Sequence, residues 1–133
     1  MEPKNVVLYA RSATFKKPGD NNSVDMQLEK LREYARKNDY EVLAEFVDEG
    51  KGGNIEDRPA LQKMISIVTA EPHIVDTVLV NDYSRLARNM KITRDLEERL
   101  RENNVSLVSI SQPRDDSFEK IFQVIWTRIL LRE

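Results

Sequence analysis

At 133 residues, 40% hydrophobic and 33% charged, the chain has the size and composition of one ordinary globular domain able to bury a real core. A formal net charge of −2 excludes a free-standing nucleic-acid binder that relies on a general basic excess, and no apolar run approaches a membrane span or a signal-peptide core. The absence of cysteine, with His73 the single histidine, excludes disulfide scaffolds, thiolate chemistry and most transition-metal sites, and it fits a cytosolic setting.

The first element is "KNVVLYA", where Val6, Val7 and Leu8 run continuously rather than alternating, as in a strand buried on both faces. It delivers Arg11, Ser12 and Thr14 to its carboxyl end. "TFKKPGDNNS" is polar and carries Pro-Gly, so it reads as a loop. From Ser23, a residue placed to cap, Val24, Leu28, Leu31 and Ala35 recur at helical spacing. A second strand is expected over 40–48, ending in Asp48 and the glycine-rich "EGKGGN". Asp57 is expected to cap a helix with Pro59 in its first turn and Leu61, Met64, Ile65 and Val68 as its apolar stripe.

The third strand is expected over 74–80, after a loop holding His73, which reads as a plain surface residue. "NDYSRLAR" follows as a loop, then a helix marked by Ile92, Leu96 and Leu100, and a fourth strand over 104–110. A last helical pattern places Phe118, Ile121, Phe122, Ile125 and Ile129 on one face, beside Trp126. That stripe either packs on its own domain or forms a subunit interface, for which a tryptophan is well suited.

Strictly alternating strands and helices predict an α/β fold, with a largely parallel four-stranded sheet and helices on both faces. Ligands of such sheets sit outside the carboxyl ends of the strands. Topology therefore brings three segments together: Arg11 to Thr14, Asp48 to Gly53, and Asp82 to Arg88. The charge is unevenly spread, since residues 85–101 hold six basic residues against three acids. Arg85 and Arg88 stand three apart and share a face if their segment is helical. With Arg11 and Arg58 they would form a group of fixed cations, which a multi-oxygen anion suits because guanidinium forks match phosphate. A hydroxyl at the end of the first strand adds phosphoryl transfer to serine as the reaction class.

Five motifs, "YARSAT", "SVDMQ", "DEGKGG", "RPAL" and "SRLARN", carry a resemblance. Their order and spacing are similar to the catalytic domain of serine recombinases, the resolvase/invertase group, and most similar to large serine integrases and transposon recombinases. The resemblance runs from about residue 5 to residue 111. It implies a serine that attacks a DNA phosphodiester, a 5′-phosphoserine link with a free 3′-hydroxyl, and strand exchange in an assembly that grows from dimer to synaptic tetramer. It implies DNA as partner, no membrane, no metal, no cofactor and a cytoplasmic place of action with bacterial or phage DNA. By position, Arg11 resembles the arginine that contacts the scissile phosphate, and Arg85 and Arg88 resemble the pair that binds it and stabilises the transition state. Arg58, Gln27 and Asp48 resemble supporting residues, and Ser84 stands where an aspartate is common.

The departures fall on the nucleophile. The family serine lies two residues after the arginine, and here that position is Ala13, while Ser12 occupies the place of a valine. Ser12 has taken over, or Thr14 has, or the chain does not cut, or the alanine replaces a serine. Alternation along a strand puts Ser12 and Ala13 on opposite sides, which speaks against Ser12 unless the strand ends or bulges before it. Gly52 also stands where the family loop has serine. The expected organisation is a catalytic domain over residues 1–112 and the start of an interface helix over 113–133. The DNA-binding region is then missing, so the chain reads as a truncated or degenerate N-terminal domain. An inactive assembly module of the same fold is the alternative. A receiver or flavodoxin-like domain is a third reading, but a receiver needs acids after its first strand, where this chain has Arg11.

Overall fold

The computed structural model describes residues 4–13, 23–50, 58–86 and 90–111. In chain order these form β1 (Asn5–Ser12), α1 (Val24–Lys37), β2 (Glu41–Glu49), α2 (Pro59–Val68), β3 (Thr77–Val80), α3 (Met90–Glu102) and β4 (Ser106–Ser109). A single 3₁₀ turn at Tyr83–Arg85 lies between β3 and α3. Thr14, Gly52, Asp57, Arg88 and the stripe from Phe118 to Ile129 lie outside the described residues.

All strand pairs are parallel, and the sheet has the order β2-β1-β3-β4. This is the α/β architecture that the alternation of elements implies. β1 occupies the centre, so its two faces are both covered and its apolar run need not alternate. On one face Val6, Leu8 and Ala10 pack under α1 through Val24, Leu28, Leu31 and Ala35. On the other, Val7, Tyr9, Val78, Val80 and Leu107 meet Leu61, Met64, Ile65 and Val68 of α2 and Leu96 and Leu100 of α3. Burying each of these large side chains contributes on the order of 1.5–3 kcal/mol of transfer free energy.

Local chemistry starts and stops the elements much as the sequence leads one to expect. Ser23 caps α1, its Oγ accepting from the Met26 amide at 3.2 Å, with Asp25 in the first turn and Arg36 and Lys37 in the last. Asp39 and Asn104 take positive φ in the turns that follow α1 and α3, a conformation that Asp and Asn tolerate better than most residues.

The boundaries move in three places. β1 continues past Ala10, because Arg11 and Ser12 still pair with Asp48 and Glu49 of β2. β3 begins only at Thr77. Before it the chain leaves the ladder, and Asp76 instead holds Asn5, its carboxylate accepting the Asn5 amide at 2.9 Å. Ile74 and His73 are accordingly exposed. Third, the N-cap position of α2 is Arg58, which makes no capping hydrogen bond, while the Asp57 expected there lies outside the described residues.

The β1–β2 ladder carries one irregularity. Val6 pairs with Val42 but Val7 pairs with Ala44, which leaves Leu43 as an extra, unpaired residue, 42% exposed. After this bulge, Ala44, Phe46 and Asp48 stand opposite Val7, Tyr9 and Arg11.

Candidate functional site

Three strand ends and the start of α2 meet at the carboxyl edge of the sheet. Asp48, at the end of β2, is buried on the same face as Tyr9 and Arg11. Its Oδ1 accepts from the Ala60 amide and its Oδ2 from the Leu61 amide, both at 3.0 Å. Asp48 thus caps α2 from another element and compensates for the N-cap that Arg58 does not supply. Oδ2 also accepts from the Tyr9 hydroxyl at 2.8 Å. Burial, then the hydrogen bond to Asp48 and its charge, push the Tyr9 phenol far above its ordinary range, so it stays protonated and donating.

The arginines converge, but on main chain. Arg11, 3% exposed, donates from Nε to the Arg85 carbonyl at 3.1 Å and from Nη2 to the Ser84 carbonyl at 2.9 Å. Arg58, fully buried at 0%, donates from Nη1 to the Arg85 carbonyl at 3.0 Å and to the Leu86 carbonyl. Arg85 returns the contact, its Nη1 donating to the Arg11 carbonyl at 3.3 Å. Three successive carbonyls of the turn after β3 serve as acceptors for the two deeper guanidiniums. Burial lowers the Arg58 guanidinium from its ordinary value, and the nearby Tyr9 and Asp48 oppose that shift.

Arg85 differs from the other two. Its side chain keeps 14% exposure and its Nε lies 3.4 Å from Asp82. Asp82 caps the 3₁₀ turn, accepting from the Ser84 amide at 3.0 Å and from the Ser84 hydroxyl. Ser84 itself is exposed. On the opposite side of β1, Gln27 reaches from α1 to the strand end. Its Oε1 accepts from the Arg11 amide at 3.1 Å and its Nε2 donates to the Arg11 carbonyl at 2.9 Å. Gln27 in effect extends the ladder by one side chain, and each of these buried bonds contributes about 1 kcal/mol.

The hydroxyl at the strand tip is placed by the extra length of β1. Because the strand runs through Ser12, alternation holds to the end, and Ser12 lies on the opposite face from Arg11, fully buried at 0%. Its carbonyl accepts from the Gly50 amide at 2.8 Å. Ala13, the position of the family serine, is exposed at the tip.

Of the sequence candidates, Arg11, Arg58, Arg85, Gln27, Asp48 and Ser84 come together; Arg88 lies outside the described residues. Sequence reasoning did not single out Tyr9 or Asp82. Tyr9 had a usable signal, since it shares a face with Arg11 two residues on; Asp82 had only its place in the loop. The carbonyls had none. No group of three or more His, Asp or Glu residues able to hold a metal occurs among the described residues. Nor is any helix among them long and apolar enough to cross a membrane.

A parallel sheet of this order, with arginines gathered at its carboxyl edge, defines an α/β domain with guanidiniums at its strand tips. The strand order alone is shared with flavodoxin-like proteins, so the residues at the edge make the distinction. The chain belongs to the resolvase family: the model of the resolvase N-terminal domain matches residues 6–129. That match runs past residue 111, where the motif resemblance ends. Among solved structures, the N-terminal catalytic domain of TP901-1 integrase is 25% identical with a TM-score of 0.80, covering 97% of this chain and 96% of that one. A resolvase family site-specific recombinase from Streptococcus pneumoniae is 25% identical with a TM-score of 0.72, covering 97% and 92%. A Bacillus subtilis (strain 168) protein, "Putative DNA recombinase", is 26% identical over 106 residues, which is 80% of this chain and 20% of that protein. The chain thus spans about a fifth of that relative's length. By family and fold it is a serine-recombinase catalytic domain, as its five motifs imply.

Proposed function

We propose that this domain acts on DNA as the phosphodiester-holding part of a site-specific serine recombinase, which cuts and rejoins strands through a 5′-phosphoserine intermediate. Arg85 is the observation that carries the reading: of the three clustered guanidiniums it is the one that reaches solvent at the ligand edge. In this reading Arg85, with Arg88, binds the scissile phosphate and the charge that grows on it, while Arg11, Arg58, Gln27, Asp48 and Ser84 support the edge. A serine oxygen forms the new bond to phosphorus, the bond to the 3′-oxygen breaks, and that oxygen leaves as the 3′-hydroxyl. The covalent link keeps the phosphodiester energy, so neither metal nor nucleotide is needed. Residues 1–112 would be the catalytic domain and 113–133 the start of an interface helix. The helix would support a dimer and a synaptic tetramer, with a separate region gripping the flanking DNA beside the bacterial or phage nucleoid.

Ala13 at the tip and Ser12 on the far face favour a second reading, in which the domain holds DNA and assembles without cutting. A suicide-substrate assay separates the two. Nicked duplex is offered to the native protein, to Ser12→Ala and to Ala13→Ser, and covalent adducts are counted on denaturing gels. Adduct from the native protein that disappears with Ser12→Ala assigns the cut to Ser12. Adduct only with Ala13→Ser assigns this chain to the non-cutting reading, with its phosphate edge intact. No adduct from any of them, together with no affinity for duplex DNA, would sink both.

A further inference from the structure

Asp82 engages two neighbours with its two oxygens. Oδ1 accepts from the Ser84 amide at 3.0 Å and from the Ser84 hydroxyl, which pins the carboxylate to the turn after β3. Oδ2 lies 3.4 Å from Arg85 Nε. That separation exceeds the roughly 2.7–2.9 Å of a tight charge-assisted bond, and both side chains keep contact with solvent, 14% for Arg85 and 27% for Asp82. An ion pair of this kind is weakly held. Arg11 and Arg58 make a contrast, because their buried guanidiniums donate to main-chain carbonyls, which carry no net charge. A full negative charge thus stands beside the guanidinium that reaches solvent, and the two bonds from Ser84 keep it from swinging clear.

We propose that Asp82 is a built-in competitor for Arg85: it engages the guanidinium in the DNA-free domain, an incoming phosphate has to displace it, and it thereby limits how tightly the edge holds DNA. This inference rests on the reading of Arg85 as a phosphate ligand. A phosphate oxygen and Asp82 Oδ2 are acceptors of one kind, and both match the planar fork of donors on a guanidinium. Both are also negative. A phosphate docked on Arg85 therefore meets the repulsion of a carboxylate that cannot retreat without leaving Ser84. The plain alternative is that Asp82 does no more than cap the turn. The two roles predict opposite signs. Losing a cap loosens the turn and leaves binding unchanged or weaker, whereas losing a competitor makes binding tighter.

The test is Asp82→Asn, which keeps an acceptor for the Ser84 amide and removes the charge. Binding of duplex DNA is measured by anisotropy for the parent, Asp82→Asn, Arg85→Ala and the double variant. The expected result is binding about three- to ten-fold tighter with Asp82→Asn, whatever the DNA sequence, on the scale of one exposed ion pair. In the Arg85→Ala background the same change should bring no gain, because the competitor then has nothing to compete for. Unchanged or weaker binding with Asp82→Asn, while Arg85→Ala still loses affinity, would overturn the proposal and leave Arg85 as a phosphate ligand. A gain that survives in the Arg85→Ala background would overturn it as well, since the acid would then act only through the general field of the domain. If Arg85→Ala binds as the parent does, the phosphate reading fails and the competitor falls with it. Should Asp82→Asn fail to fold, Asp82→Ser, which also caps well, carries the same comparison.

Discussion

Asp48→Ala is expected to lower the folding free energy by about 3–5 kcal/mol, read as a fall in the urea midpoint with little change in slope. The size follows from what the carboxylate does. It is buried, it accepts two amides of the first turn of α2 and the Tyr9 hydroxyl, and it is the carboxylate whose charge acts on the buried Arg58. Removing it takes two hydrogen bonds from the first turn of α2, which alone costs about 1 kcal/mol, and leaves the buried Tyr9 hydroxyl without this acceptor. Asp48→Asn keeps an acceptor and the shape while removing the charge, so its loss should be clearly smaller. If the two variants were equally mild, near 1 kcal/mol, the charge of Arg58 must be balanced mainly by the carbonyl array.

Arg85→Ala should behave in the opposite way. Its side chain is partly exposed, and its contacts include a long bond to the Arg11 carbonyl and a 3.4 Å pairing with Asp82, so stability should change by only about 1 kcal/mol. Affinity for duplex DNA should fall roughly 10-fold or more for every sequence tested, and the slope of log affinity against log salt should become shallower by about 1. Anisotropy titrations over a range of salt would measure both. An unchanged slope with unchanged affinity removes Arg85 from the phosphate contacts. Set beside Asp48→Ala, the pair tests a division of labour: the deeper groups build the edge and Arg85 uses it.

How much of this could be read from the chain depends on the range of the interaction. The buried run Val6–Leu8, the Ser23 cap and the α2 stripe are local, and they are where expectation and structure agree most closely. Element order sufficed for a parallel sheet and for the edge at which Arg11, Asp48 and Arg85 meet. What escaped is set by direction rather than by position. Asp48 lies 12 residues from the amide it caps, and nothing in the local pattern says that its side chain turns toward Ala60 rather than toward an incoming ligand. Arginines in a cluster suggested an anion, because a sequence shows side chains and hides the carbonyls that satisfy them. The extent of β1 mattered most. Two further residues of pairing decide which face Ser12 occupies, and strand ends are where pattern reasoning is weakest.

The bulge at Leu43 gives the site a property at a distance, since it lies five residues, or roughly 16 Å of strand, upstream of Asp48. β2 holds one residue more than its ladder with β1 uses. Losing Leu43, or either of the next two residues, could be absorbed by straightening the strand, with Asp48 still beside Arg11. An added residue has no such outlet and would turn Val47 or its neighbour toward the arginines instead. The chain therefore carries length slack in one direction only, and its tolerance of insertions and deletions in β2 is unequal.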